Sequence, residues 1–116
     1  MIRSGSLVIV HLINPTEKFW GLLQELGVTG VMLRGINVSS FDDWMAQAAS
    51  QGGDQGLGLS TMFVPLFRVE RIFLDEAVGE VESYRQRFQR RVGAPVERYL
   101  GLEDEGREEE NPEVPS

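Results

Sequence analysis

Residues 59–74 read LSTMFVPLFRVERIFL, and this stretch decides the fold. It is too long and too apolar for one ordinary strand, which runs to about 5–6 residues. Pro65 stands in its middle and has no amide hydrogen to give a central ladder. The stretch therefore reads as two strands meeting at a sharp bend near Pro65 to Phe67.

Towards the N-terminus, Gly52 to Gly58, GGDQGLG, is expected to be a flexible loop. It lacks the Gly-Lys-Ser/Thr ending of a phosphate-binding loop and leads into a strand, which argues against a nucleotide site. Before it lies the clearest helix, from Phe41 to Ser50. Ser40 and Asp43 have capping-box spacing, Asp42 and Asp43 complement the N-terminal dipole, and Phe41, Trp44, Met45 and Ala48 trace one apolar face. Val31 to Val38, VMLRGINV, follows the turn residues Thr29-Gly30 and reads as a strand, as does Ser6 to Ile13, which ends at Asn14-Pro15.

Glu17 to Leu26 stays open between two readings. Phe19, Leu22, Leu23 and Leu26 have helical spacing, with Thr16 as cap and Gly27 as stop. Phe19, Gly21 and Leu23 equally share one face of a strand, and Gly21 weakens a helix interior. Beyond Leu74, Asp75 to Glu80 contains a turn, and Glu80 to Val92 is expected to be a helix. In it Val81, Tyr84, Phe88 and Val92 share a face, Arg90 and Arg91 sit at the C-terminal end, and Gly93 is the stop. Pro95 starts a further short turn carrying Val96, Tyr99 and Leu100.

The composition sets limits on chemistry. The 116 residues contain no cysteine and one histidine, His11, so thiolate nucleophiles, disulfides and thiolate zinc sites are excluded. His11 has no second imidazole and no Ser or Asp at suggestive spacing, and reads as structural. The pairs Asp42-Asp43 and Asp75-Glu76 have simpler work at a helix start and a turn. No catalytic residue, metal ligand or cofactor is assigned, and the expectation is a non-enzyme. The longest apolar run, Leu7 to Ile13, is far short of the ~20 residues of a spanning helix and weak as a secretory signal, so no membrane association and a cytoplasmic location are expected.

The net charge of −7 divides unevenly. In residues 103–116, EDEGREEENPEVPS, seven acids face Arg107, which gives −6. The body is nearly neutral at −1, with eleven acids against ten bases, nine of them arginine. The expected organisation is one domain over residues 1–102 and a disordered acidic tail over 103–116. Arg85, Arg87, Arg90 and Arg91 form the candidate patch for a nucleic-acid partner. A solvated helix face is the plainer reading of the same residues. Arg68, Glu70 and Arg71 read as an ion network on a strand surface.

The segments LVIVHLI, KFWGLLQEL, GVMLRGINV and TMFVPLFRVERIFL together resemble the strand order of the Sm-like small barrels, the family that includes LSm proteins and bacterial Hfq. The resemblance covers roughly residues 6–75 and is one of pattern rather than motif. It implies a strongly bent five-stranded small barrel, here mainly β with added helices: one helix inserted between the third and fourth strands and an amphipathic helix at the C-terminus. It favours the hairpin reading of Glu17 to Leu26 and implies subunits joined edge to edge.

The RNA-binding motifs of that family are not matched. The loop between the second and third strands is Gly27-Val28-Thr29-Gly30, the turn from fourth to fifth is Val64-Pro65-Leu66-Phe67, and the Arg34-Gly35 pair lies within the third strand. The expected function is a non-enzymatic interaction module that forms homo-oligomers or meets a protein partner, with Phe63, Phe67 and Trp20 as candidate interface residues. Two alternatives stay open: an Sm-like RNA binder using the arginine helix, and a small α/β regulatory domain with Glu17 to Leu26 as a crossover helix.

Overall fold

The structure, a computed structural model, describes residues 1–51 and 58–101. The expected glycine loop and acidic tail therefore lie outside the described residues, apart from Gly58. Five strands, β1 (Leu7–Leu12), β2 (Glu17–Leu26), β3 (Gly30–Asn37), β4 (Ser60–Pro65) and β5 (Val69–Leu74), make one sheet in the order β4-β3-β2-β1-β5. Every pairing is antiparallel. Helix α1 (Phe41–Gln51) is inserted between β3 and β4, and α2 (Tyr84–Val92) follows β5. The molecule is mainly β with two added helices, and no helix among the described residues is long and apolar enough to cross a membrane.

The expected closed barrel is corrected to an open sheet. Closure requires a ladder between β4 and β5, whereas each pairs on one side only, β4 with β3 and β5 with β1. The sheet nevertheless curls. Four strand spacings across a flat sheet measure about 19 Å, but the two edge strands are joined by the three-residue 3-10 turn Leu66–Arg68, whose span is about 10 Å. The bend expected at Pro65 to Phe67 is this corner.

Curling lets one face pack on itself. Val8, Val10, Leu12, Leu23, Val31, Leu33 and Val64 form a concave core that draws in Met62, Ile72 and Leu74. The opposite face is covered by the helices: Trp20 and Ile36 of the sheet pack with Phe41, Trp44, Met45, Phe88, Val96 and Leu100. Each side of the sheet thus has its own apolar layer, which is why the strands carry hydrophobic residues on both faces.

Residues 17–26 are a strand. Gly21 pairs with Gly35 across the β2–β3 ladder, and a Cβ at Gly21 would strike the Arg34 backbone while one at Gly35 would strike that of Trp20. The glycine that weakened the helical reading is therefore where two strands make their closest approach. Register shifts between Leu23 and Glu25 in β2, and between His11 and Leu12 in β1, add further bend.

Helix α1 starts at Phe41 as expected, whereas α2 starts later than expected. A 3-10 turn, Val38–Ser40, precedes α1, and its cap is Asn37, whose Oδ1 accepts from the Ser39 amide at 2.9 Å. Helix α2 begins at Tyr84 rather than near Glu80. Ser83 is its cap, with the Gln86 amide donating to Ser83 Oγ at 3.0 Å and the Ser83 amide donating to Gln86 Oε1 at 2.8 Å. Val81 consequently lies outside the helix, bridged to Val78 across a tight turn in which Gly79 has φ 61°, and both valines are exposed. Gly93 ends α2 in the left-handed conformation, and Val96–Tyr99 forms the 3-10 turn expected after Pro95.

Candidate functional site

Two open strand edges are the candidate functional surfaces. In an antiparallel ladder, pairs that exchange hydrogen bonds alternate with pairs whose amides point away. The Leu66 amide donates to the Thr29 carbonyl at 3.0 Å, and the Asp75 amide donates to the Leu7 carbonyl at 2.9 Å. Counting in twos from Leu66 along the register, Val64 and Met62 bond to β3, while Phe63 and Pro65 turn their nitrogens to the open side. The same count from Asp75 turns the amides of Leu74 and Ile72 outward from β5. Pro65 thus stands at an edge position where no ladder bond is lost.

Large apolar side chains gather along these edges. Phe63 on β4 is 51% exposed, Phe67 at the corner is 82% exposed, and Phe73 on β5 is 44% exposed. Leu66 at the corner and Leu26 and Val28 at the β2–β3 turn extend the exposed apolar surface beside β4. Phe73 meets His11 edge-on at 4.9 Å between ring centroids. Partial burial and the neighbouring Lys18 and Arg71 hold the His11 imidazole below the usual histidine range.

Trp20, expected at a subunit interface, lies inside the protein's own core. It is fully buried, packs against Phe41 and Trp44, and donates its indole Nε1 to Asp75 Oδ2 at 3.0 Å. The register explains the difference: Trp20 pairs with Ile36 on the face that the helices cover.

The four arginines of the candidate nucleic-acid patch do not converge on one point. Arg85 pairs with Glu97 at 3.0 Å, and Arg90 pairs with Glu82 at 3.0 Å. Arg87 pairs with Asp42 at 3.0 Å, its guanidinium carbon 5.4 Å from the Phe41 ring and 5.1 Å from the Tyr84 ring, so it braces α2 against α1. Arg91 is exposed at the helix end. Of the expected strand-surface network, Arg71 and Glu70 stand 3.6 Å apart. Arg68 turns away from both to the β1–β2 turn, donating to the carbonyls of Ile13 and Pro15 at 2.8 and 2.6 Å and pairing with Glu17 at 3.1 Å.

Asp75 has a role that its turn position did not suggest. Its carboxylate accepts from the Tyr84 amide at 2.8 Å and the Arg85 amide at 2.9 Å as well as from Trp20. A cavity of about 570 Å³ beside it is lined by Glu76, Ser83, Arg85, Gln86 and Arg90 among others. Ser83 and Gln86 are engaged in the helix cap, and both arginines in ion pairs. Among the described residues, no group of three or more His, Asp or Glu could hold a metal ion.

Comparison with protein-family models, curated proteins and solved structures finds no match to this chain.

Proposed function

We infer that this chain is a non-enzymatic, Sm-like assembly module that joins copies of itself through its strand edges. The observation that carries the reading is the strand order β4-β3-β2-β1-β5, which puts two strands consecutive in sequence on opposite open edges of a curled sheet. Such an edge offers unpaired backbone groups to another strand, and monomeric proteins commonly blunt it with charges or proline. Here Pro65 blunts the end of β4 and Glu70 and Arg71 place charges on β5, while the exposed Phe63, Phe67 and Phe73 add apolar area. The Sm-like resemblance agrees with this arrangement of a fourth strand passing through a tight corner into a fifth. The arginine helix supports an RNA reading less, because Arg85, Arg87 and Arg90 are each matched by a carboxylate.

Sedimentation of the full chain over a wide concentration range tests the reading. The expected result is mass in multiples of 13.0 kDa. Phe63→Pro, which removes an outward amide without touching a β3 ladder bond, is expected to return the protein to monomer, while Phe63→Val keeps partial association. A wild-type chain that stays at 13.0 kDa throughout would sink the proposal.

A further inference from the structure

The convex face of the sheet carries a row of three bases. Lys18 of β2, His11 of β1 and Arg71 of β5 are direct cross-strand partners, Lys18 with His11 and His11 with Arg71. Directly opposed residues hold their Cβ atoms about 4.5–5.5 Å apart on one side of the sheet, where like charges destabilise the pairing. The row lies two residues along from Ile9, which packs under the helices, and so stands past their cover. Lys18 and Arg71 are exposed, and His11 is half-buried.

The acids that neighbour the row in sequence do little to neutralise it. Glu17, beside Lys18, is taken by Arg68 at 3.1 Å. Glu70, beside Arg71, approaches its guanidinium only to 3.6 Å. The charged groups facing His11 are Lys18, Arg71 and Glu70; burial and the two cations hold the imidazole below the usual histidine range, and Glu70 offsets them only in part. The Phe73 ring, 44% exposed, links two members of the row. It meets the His11 ring edge-on at 4.9 Å, and the Arg71 guanidinium carbon stands 6.0 Å from its centroid.

We propose that this row is a binding site for a tetrahedral dianion, inorganic phosphate or a phosphate monoester, held by Lys18, His11 and Arg71 with Phe73 beside it. The site lies within one chain and is independent of edge assembly. Arginine meets such an anion with two parallel N–H donors, lysine adds a point charge, and His11 donates through a ring nitrogen. Bases that repel one another across the ladder become shared partners of one ligand. Negative charge beside His11 favours the imidazolium, so binding draws a proton onto the ring. By reciprocity, protonated His11 binds the dianion more tightly by the factor with which bound dianion strengthens proton binding. A dianion in contact with the imidazolium near the protein surface makes that factor about tenfold.

The full chain has one histidine, so a single imidazole signal in an NMR titration reports on the site. Sulfate is the first probe, because it stays dianionic throughout the titration of histidine, with chloride at equal ionic strength as control. Saturable binding is expected, about tenfold tighter at pH 5 than at pH 8, with the midpoint of the His11 titration moved upward by the matching amount. Lys18→Gln and Arg71→Gln are each expected to weaken binding by about fivefold or more. His11→Gln should remove most of the pH dependence and keep residual binding. Inorganic phosphate and phenyl phosphate at pH 8 distinguish the two sources. Tighter binding of phenyl phosphate that is lost in Phe73→Ala assigns the site to an ester, and equal affinity assigns it to the free anion. Lys18 and Arg71 are exposed, and amide spectra that match wild type exclude misfolding of the variants. A His11 response to sulfate no larger than to chloride, a response that does not saturate, or an Arg71→Gln response equal to wild type would overturn the assignment.

Discussion

Asp75 ties three parts of the molecule together with one carboxylate. Its oxygens accept from the first two amides of α2 and from the Trp20 indole, which stands 55 residues earlier in the chain. Negative charge at a helix start is favoured by the dipole, and a hydrogen bond to a charged group contributes more than a neutral one. Replacing Asp75 with Ala leaves the Trp20 Nε1–H unsatisfied in the core and uncovers two helix amides. The expected loss is about 2–3 kcal/mol, and Asp75→Asn, which keeps one acceptor, should lose about half as much. Urea unfolding followed by tryptophan fluorescence measures both. If Asp75→Ala keeps the wild-type midpoint, the Ser83–Gln86 cap alone is sufficient to hold α2. Nothing near Asp75 in the sequence signals the Trp20 contact, because the partner becomes a neighbour only when β1 pairs with both β2 and β5.

At the scale of elements, the curl of the sheet passes through the Gly21–Gly35 pair. A methyl at position 21 would meet the Arg34 carbonyl, a backbone atom that moves only if the ladder moves. Gly21→Ala is therefore expected to cost about 1–3 kcal/mol in a thermal or urea melt, whereas Gly27→Ala, where the nearest heavy atom is 3.9 Å away, should be nearly neutral. Equal effects at the two positions would remove the close-approach argument. The same residue shows how far local pattern reaches: Phe19, Leu22, Leu23 and Leu26 fit a helix by spacing, and only Gly21 and the preceding Asn14-Pro15 turn weigh for a hairpin. Residues 59–74 were legible because proline forbids a continuous central strand. The start of α2 was also legible in principle, since Ser83 and Gln86 have capping-box spacing, but Glu80 and Val81 extend the helical pattern upstream of it. Trp20 shows the opposite limit, because aromatic character does not say which face a residue takes until register is known.

For the whole molecule, the decisive property is that a strongly curled sheet still has two edges. The candidate edge residues Phe63 and Phe67 could be read from the sequence as apolar and near a bend. That both edges end up open required the strand order, which no local pattern contains. Edge assembly has a thermodynamic signature that needs no knowledge of subunit number. A partner that binds the folded chain and not the unfolded one raises apparent stability with concentration. For association between copies, each tenfold increase in protein is expected to add about 0.7–1.4 kcal/mol per chain to the apparent unfolding free energy, the upper figure applying to large assemblies. Phe63→Pro should lower this dependence to zero while leaving the dilute-limit stability close to wild type, because its nitrogen faces away from β3. Urea titrations of both proteins at three concentrations a decade apart measure the slope directly. A wild-type midpoint that does not move with concentration means that the strand edges do not pair between copies. Exposed Phe63, Phe67 and Phe73 would then have to be explained by a partner other than the chain itself.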